Sequence, residues 1–509
     1  MQPSRFELSD TLRISVFAVV AAGVLLQTTF VWWHQDDLYI HLRYAFQLYH
    51  HGIWSFNGDI PSYGTTSPLW VIALAIFGFM KPIWAAKFLS IGSMVLSIAV
   101  FIRSRQLFRN QWWFVVSLFS LGVNHWLRLA SGSGMEANLA GTVVLIIVMK
   151  SYSIRDWTTT ESLLMGLLAG IAVLLRPELA YVSVLLLIAQ IAIKAHPKRI
   201  ASMVSATAAV VIPWLLYADA TFGQVIPVTV TVKQGYLQPS VGSIAQSFLT
   251  VGSFVLASNA FELLALGLGV GLVLLAKKEG LSATRWLLPL GVVVGLLLTY
   301  MANQAGGGER ISYRYAAPIL PSLVLVGGIC AEKLAGFFIH RRSLNALARI
   351  VALALILSCN STLDYLHLPF LRRSLNYVED VCSKYGLYLK EHANKDDKIA
   401  CYDVGAIGFF SDRHVLDLIG IVSPETLPLR VTAANINDIS AVLQLKPRFY
   451  VLPWLGDSRQ ILAKLPPHRV IFWDTVYSYR MSWSTDNTPM QTALLKLDWD
   501  PVPEYSSPQ

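Results

Sequence analysis

The chain reads as a mainly α, polytopic helical membrane bundle with a small C-terminal extracytoplasmic α/β domain, and three observations predict this. Of its 509 residues, 54% are hydrophobic and only 14% are charged, where a soluble protein carries roughly 25% charged residues. Apolar runs that approach the ~20 residues needed to cross a bilayer recur from Ile14 to Asn360. From Asp364 onward charge rises, and short β-rich runs alternate with helical stretches.

The apolar segments lie near 14–31, 83–102, 112–128, 137–149, 163–176, 178–193, 200–218, 251–276, 286–301, 316–334 and 346–360. Basic residues gather between them at Arg103/Arg105/Arg109, Lys194/His196/Lys198/Arg199, Lys277/Lys278 and His340/Arg341/Arg342. Cytoplasmic loops collect Lys and Arg, so an even number of crossings must separate these four clusters. About eleven transmembrane helices satisfy that count, with the N-terminus inside and everything after Asp364 outside. Segment 68–80 (PLWVIALAIFGFM) is short, and a crossing there would put Arg103, Arg105 and Arg109 outside. It reads instead as a juxtamembrane or re-entrant element. No small-residue cleavage site follows the first apolar run, so that run reads as a retained signal anchor. The net charge of +9 belongs to this loop pattern and does not indicate nucleic acid.

The expected external loops are 32–82, 129–136, the Arg176-Pro177-Glu178 turn, 219–250, 302–315 and the tail. They carry the unusual polar residues, which gathers the candidate chemistry on one side. The expected domains are 1–363, a transmembrane catalytic domain, and 364–509, a soluble α/β domain with strand-like runs KIACYDV, HVLDLIGI, RFYVLP and HRVIFW and a helix over 373–391. Cys382 and Cys401 lie in that tail, either as a disulfide or as two free thiols. Asn360-Ser361-Thr362 fits a glycosylation sequon, a pattern short enough to arise by chance.

The stretch from Trp32 to Trp70 concentrates the chemistry. Asp36 and Asp37 stand where the first apolar run leaves the membrane, a place where ionisable groups tend to be functional. In a helix over DDLYIHLRYAFQLY, Asp37, His41, Tyr44 and Leu48 share one face, and Asp36, Ile40 and Arg43 the next. One acid can face a pocket while the other pairs with Arg43 or binds a divalent cation. Two partly desolvated neighbouring acids cannot both ionise easily, so one pKa rises, which suits a general base acting on a sugar hydroxyl. Asp is also a favoured residue at helix starts, where a purely structural pair would serve. Trp54, Phe56, Tyr63 and Trp70, with His50, His51 and Asn57, supply either a sugar-holding surface or an interfacial aromatic belt.

Asp36-Asp37-x-Tyr39-Ile40-x-x-Arg43-Tyr44-Ala45, followed by Gly52, Phe56-Asn57 and Thr66-x-Pro68-Leu69-Trp70, resembles the first external loop of a GT-C-type family that includes the mycobacterial terminal arabinofuranosyltransferase and its bacterial relatives. Similar stretches follow in order: Ser133-Gly134-Met135-Glu136, Arg176-Pro177-Glu178, Phe222-Gly223-x-x-x-Pro227-x-Thr229-x-x-x-Lys233, Arg314-x-x-x-Pro318, Asp403-x-Gly405-Ala406-Ile407-Gly408 and Asp417-Leu418-x-Gly420. The resemblance implies an integral enzyme of a bacterial cytoplasmic (inner) membrane whose active site is extracytoplasmic. Its donor would be a polyprenyl-phosphate-linked sugar, arabinofuranose by likeness. Its acceptor would be a cell-envelope glycan, lipopolysaccharide or surface protein. By position Asp36 or Asp37 is then catalytic. Arg43, Arg176, Lys233, Arg310 and Arg314 are the external cations for the lipid phosphate, which bidentate Arg suits well. For Arg310 and Arg314 an interfacial anchor is the plain alternative, and for Arg176 a helix-end pair with Glu178.

Glu136 either positions substrate hydroxyls or caps a helix. Relatives often show Gly-Gly-Asp where this chain has Gly306-Gly307-Gly308-Glu309, which shifts any such role to Glu309. His41 stands where relatives often have a small residue, and Tyr63-Gly64-Thr65-Thr66-Ser67 varies the usual Gly-Tyr-Thr-Asn. A flippase of lipid-linked saccharides would place charges at mid-membrane and show an internal repeat; neither is evident. A polymerase or ligase moving whole oligosaccharides differs from the transferase only in the mass its product gains.

Overall fold

The structure, a computed structural model, describes residues 10–234, 257–268, 291, 313–339, 341–429, 437–453, 456–477 and 489–499. It is mostly helical, with a small sheet near the C-terminus, and divides into two compact units.

The first unit comprises Met1–His34, Thr66–Ala220 and Tyr236–Pro369. Its helices in order are α1 (Asp10–Leu26), α3 (Pro68–Ile76), α4 (Pro82–Arg103), α5 (Gln111–Val123), α6 (His125–Ser133), α7 (Ala137–Ser151), α8 (Thr159–Leu175), α9 (Ala180–Ala192) and α10 (Pro197–Phe222). α12 (Ala257–Leu268), α13 (Tyr313–Ala316), α14 (Leu320–Phe338) and α15 (Arg342–Asn376) follow; α2 and α11 belong to the second unit. Among the described residues four helices are long and apolar enough to cross a membrane, in Pro82–Leu107, Pro197–Phe222, Leu320–Phe338 and Arg342–His392. Others, such as Gln111–Val123 and Ala137–Ser151, are apolar but shorter. Much of the expected spans 251–276 and 286–301 lies outside the described residues, so the count of eleven remains an expectation.

Three boundaries differ from the sequence reading. The first helix stops at Leu26 and a run of turns follows, in which Thr28 and Thr29 hydroxyls donate to carbonyls three residues back. The expected span 112–128 breaks at Asn124, whose extended backbone ends α5 while its side chain accepts the Leu127 N–H and caps α6. Helix α6 then fills much of what the sequence reads as the loop 129–136. Segment 68–80 yields the nine-residue α3, about 14 Å long and too short to cross. Helices α1 and α5 meet at paired glycines: a Cβ on Gly122 would lie 2.9 Å from the Gly23 Cα.

The second unit comprises Gln35–Thr65, Thr221–Gly235 and Phe370–Gln509. α2 (Asp36–His51) ends at Gly52, whose φ of 69° lets its N–H reach the Leu48 carbonyl, the left-handed cap glycine favours. A short hairpin, β1 (Ser55–Asn57) and β2 (Ile60–Pro61), follows, and α11 is Val228–Gln234. α15 runs on through a π-helical stretch, Tyr377–Ser383, into α16 (Lys384–His392), so it passes the expected domain boundary at 363 without interruption. The sheet has the order β4-β3-β5-β7-β6, from β3 (Lys398–Cys401), β4 (His414–Asp417), β5 (Phe449–Val451), β6 (His468–Tyr477) and β7 (Pro489–Leu497). β3 pairs parallel with β4 and β5, while β7 runs antiparallel to β5 and β6. Helices α17 (Gly405–Ser411), α18 (Ser440–Leu445) and α19 (Ser458–Leu462) complete it. Ala400, Leu416, Tyr450 and Leu495 meet Val442 and Ile461 in one apolar core. The four strand-like runs each hold a strand; β7 was not expected. All four cysteines are free thiols.

Candidate functional site

The acidic pair opens α2, as the helical reading of this stretch expects. Gln35 is extended and offers no side-chain cap, so Asp36 and Asp37 sit in the first turn, where carboxylates complement the helix dipole. Their surroundings divide them. Asp36 accepts the Gly405 N–H through Oδ2 at 2.8 Å and the Ala406 N–H through Oδ1 at 2.7 Å. Glycine is required at 405: a Cβ there would overlap the backbone oxygen of Asp36. Burial, followed by the charge of Asp403, raises the Asp36 carboxyl to about 7, against the two amide hydrogen bonds. Asp37, one residue on, is exposed.

Of the alternatives the sequence leaves open for the acid on the Arg43 face, a pairing of Asp36 with Arg43 does not form. Seven residues put the two about 10 Å apart along the helix. The guanidinium instead donates to Asp412 Oδ1 at 2.6 Å and to the Phe56 carbonyl at 3.1 Å, tying α2 to β1 and to the end of α17. Asp412 holds the left-handed conformation that closes α17.

The rest of the first loop makes framework contacts. His41 Nδ1 lies 3.1 Å from Thr65 Oγ1. Tyr44 Oη shares a 2.7 Å hydrogen bond with Ser62 Oγ and accepts the Gly64 N–H at 3.0 Å. Asn57 bonds the N–H and C=O of Val415, at 2.9 and 2.7 Å. Tyr63 stacks on Phe222, centroids 5.0 Å apart, and its carbonyl accepts the Val228 N–H. Thr229 then donates to the Gly64 carbonyl at 2.7 Å, which fixes the start of α11, the helix containing Lys233. Trp54, Phe56, Tyr63 and Trp70 are all buried. The sequence expects a sugar-holding surface or a belt from them; they are core, because each large ring loses more water contact inside than on a surface.

The first unit holds a separate charged cluster. Arg176 closes α8 in an extended conformation, donates to Glu136 Oε1 at 2.7 Å and to Glu178 Oε1 at 2.6 Å, and stacks over Tyr315 at 4.8 Å. Arg314 Nη2 lies 3.6 Å from the same Glu136 oxygen. Glu136 is fully buried, so the expected Arg176–Glu178 pair exists with a second acid added. Glu309 and Arg310 lie outside the described residues.

Several polar groups escaped the sequence reading. Lys87, buried within α4, donates to the carbonyls of Trp33 and Gly132. His125 sits between Asp364, at 2.6 Å from Nδ1, and His367, at 2.8 Å from Nε2. Arg128 donates to both Asp364 oxygens at 2.8 and 2.7 Å. The signal for these was a charge inside an otherwise apolar run. Two acids of the ordered motifs, Asp417 and Asp403, lie in the second unit: buried Asp417 accepts the N–H groups of Ile419, Ile421 and Val422, and burial raises its carboxyl to about 6. Tyr377 donates to Asp403 at 2.6 Å. Among the described residues no cluster of three His, Cys, Asp or Glu could hold a metal ion.

Residues 371–495 match a family model described as a domain of unknown function (DUF8728). No curated protein matches the sequence. Among solved structures, ArnT from Cupriavidus metallidurans, bound to undecaprenyl phosphate, matches with TM-score 0.61 and 12% identity over 98% of this chain and 100% of that one. The apo oligosaccharyltransferase of Archaeoglobus fulgidus matches with TM-score 0.55 and 11% identity over 86% and 69%. The same archaeon's oligosaccharyltransferase AglB, in complex with an inhibitory peptide and a dolichol-phosphate, matches with TM-score 0.51 and 12% identity over 87% and 70%. At these identities the likeness is one of fold, and the fold is the GT-C-like architecture that the ordered motifs led us to expect.

Proposed function

We propose that the protein is a membrane glycosyltransferase that moves a monosaccharide from a polyprenyl-phosphate carrier to an envelope acceptor, with Asp37 as the general base and Asp36 as the group that positions it. The observation that carries this reading is the division of the acidic pair. Asp36 spends both oxygens on the amides of Gly405 and Ala406, while Asp37 is left exposed at the mouth of the same helix. A base must reach the proton it takes, and the anchored residue fixes where its neighbour stands. The fold likeness supports the class: one similar protein carries undecaprenyl phosphate, and another, an oligosaccharyltransferase, a dolichol-phosphate.

In this mechanism Asp37 takes the proton of an acceptor hydroxyl as its oxygen attacks the anomeric carbon. The C–O bond to the carrier breaks, and the electron pair leaves with the polyprenyl phosphate. Stabilising that phosphate requires cations placed where its charge develops. Arabinofuranose is the donor sugar suggested by the motif resemblance, and the site is read as extracytoplasmic, in a bacterial inner membrane, on the charge pattern of the loops. A divalent cation at Asp36/Asp37 is part of the proposal, to be tested by chelation.

The test is transfer from a synthetic polyprenyl-phosphate sugar. Asp37→Asn is expected to lower turnover about 10²–10⁴-fold, with carrier binding retained. Wild-type turnover in Asp37→Asn overturns the assignment, and wild-type turnover in both Asp37→Asn and Asp36→Asn overturns the enzyme reading.

A further inference from the structure

Helix α15 loosens before it becomes α16. From Tyr377 to Ser383 the winding is π-helical, a form that is rare and gathers at functional sites. Proline and glycine do not cause it, since YVEDVCS holds neither. The Ser383 hydroxyl closes the stretch on itself, donating to the Val378 carbonyl five residues back at 2.8 Å.

Both ends of the stretch serve one place in the second unit. Tyr377, buried, donates its hydroxyl to Asp403 Oδ2 at 2.6 Å. Two and three residues beyond Asp403 come the amides of Gly405 and Ala406, which hold Asp36 at 2.8 and 2.7 Å. At the other end Ser383 shares a hydrogen bond with the Tyr39 hydroxyl. Tyr39 lies three residues after Asp36 on α2 and packs on Phe409 and Phe410 of α17, with centroids 5.4 and 5.2 Å away. Gly386 in α16 admits α17 closely, since a Cβ there would stand 2.8 Å from the Phe410 Cβ. Tyr377 therefore fixes the donors of the Asp36 hydrogen bonds, and Ser383 fixes the helix that carries their acceptor. A shift of the Asp403 carboxylate moves the neighbouring amides with it, and a misplacement of about 1 Å at a reacting group can cost about 10²-fold in rate.

We propose that Tyr377 is a positioning residue of the transfer step: through Asp403 it fixes the turn whose amides hold Asp36, and so sets where Asp37 stands. This rests on the transferase reading above and extends it to a hydroxyl that touches no reacting atom.

The test uses the full chain in lipid nanodiscs, with two readouts. Gly405 and Ala406 open α17, where N–H groups lack an intrahelical acceptor, so their protection from hydrogen exchange reports the Asp36 bonds. Exchange there should be about 10-fold faster in Tyr377→Phe and in Asp36→Asn, with β3 and β4 protected as in wild type. Tyr385→Phe supplies the control, since it deletes a hydroxyl that donates instead to Asp474 on β6; exchange at Gly405 and Ala406 should not change. Wild-type exchange in Tyr377→Phe overturns the proposal. In transfer from the synthetic polyprenyl-phosphate sugar, Tyr377→Phe should lower kcat about 10-fold at unchanged KM. In an Asp36→Asn background the same substitution should cost less than about 2-fold, because the path it acts through is already cut. Equal costs in the two backgrounds would mark Tyr377 as a general support and also overturn the proposal. Absence of transfer by the wild-type chain, beside faster exchange in Tyr377→Phe, overturns the transferase reading alone and leaves the Tyr377–Asp403–Asp36 clamp in place.

Discussion

Two carboxylates are held inside this protein by opposite means. Glu136, in the first unit, is held by guanidinium groups: Arg176 bonds it directly and Arg314 stands at 3.6 Å. Asp36, in the second, is held by two backbone amides, and the charge that acts on it most strongly is another acid, Asp403. The first arrangement balances charge with charge. The second supplies directional hydrogen bonds without neutralising charge, so the proton remains within reach near neutral pH. A guanidinium cluster serves as a fixed support, whereas an amide-held acid can both locate its neighbour and respond to protonation.

Four experiments break or sharpen that contrast. The largest effect is expected from Arg176→Met, which strands buried Glu136 and should cost about 3–5 kcal/mol in denaturant unfolding. Arg176→Met/Glu136→Leu should recover much of that loss, and a single variant as stable as wild type would dismiss the pair as a support. Next is Gly405→Ala, whose methyl overlaps the Asp36 backbone oxygen; a loss of about 3 kcal/mol is expected, read as lower yield of monodisperse protein. Asp36→Asn turns one amide donor toward another and should cost about 1–3 kcal/mol, less than the Arg176 variant. Equal losses in the two would erase the distinction. The fourth effect is in pH. The folded-state pKa of Asp36 lies above its unfolded value of 3.8, at about 7, so the folded chain binds the proton more tightly. Its contribution is greatest below pH 4 and is lost as pH rises to 7, by no more than about 1.4 kcal/mol per pH unit. The difference between wild type and Asp36→Asn across that window isolates the term, and a flat difference refutes it.

The sequence carried the fold class well, because composition and apolar periodicity are local properties. Helix α2 and its paired acids were equally legible, as were four of the five strands in the main sheet. β7 was not, since PMQTALLKL holds a single β-branched residue, Thr492, and no aromatic to flag a strand. The break at Asn124 was hidden because a single polar residue in an apolar run looks tolerable until its side chain is seen to cap the next helix. What separates Asp36 from Asp37 could not be read at all: the amides that hold Asp36 lie 369 and 370 residues away. The same distance in sequence hid Asp412 from Arg43 and Val415 from Asn57. Residue type announced Arg43, Tyr44 and Asn57 as polar hands for a ligand, but burial spent those hands on the framework.

Asn57 has one more consequence. It presents an amide to both the N–H and the C=O of Val415, and β4 is the outermost strand on its side of the sheet. A side chain there imitates a single residue of an adjoining strand, plugging the ladder where a stray chain would otherwise zip on. Growth of the sheet by strand addition is thereby barred along β4, which makes the domain one-sided: its two borders are unequal toward any extended polypeptide that brushes past.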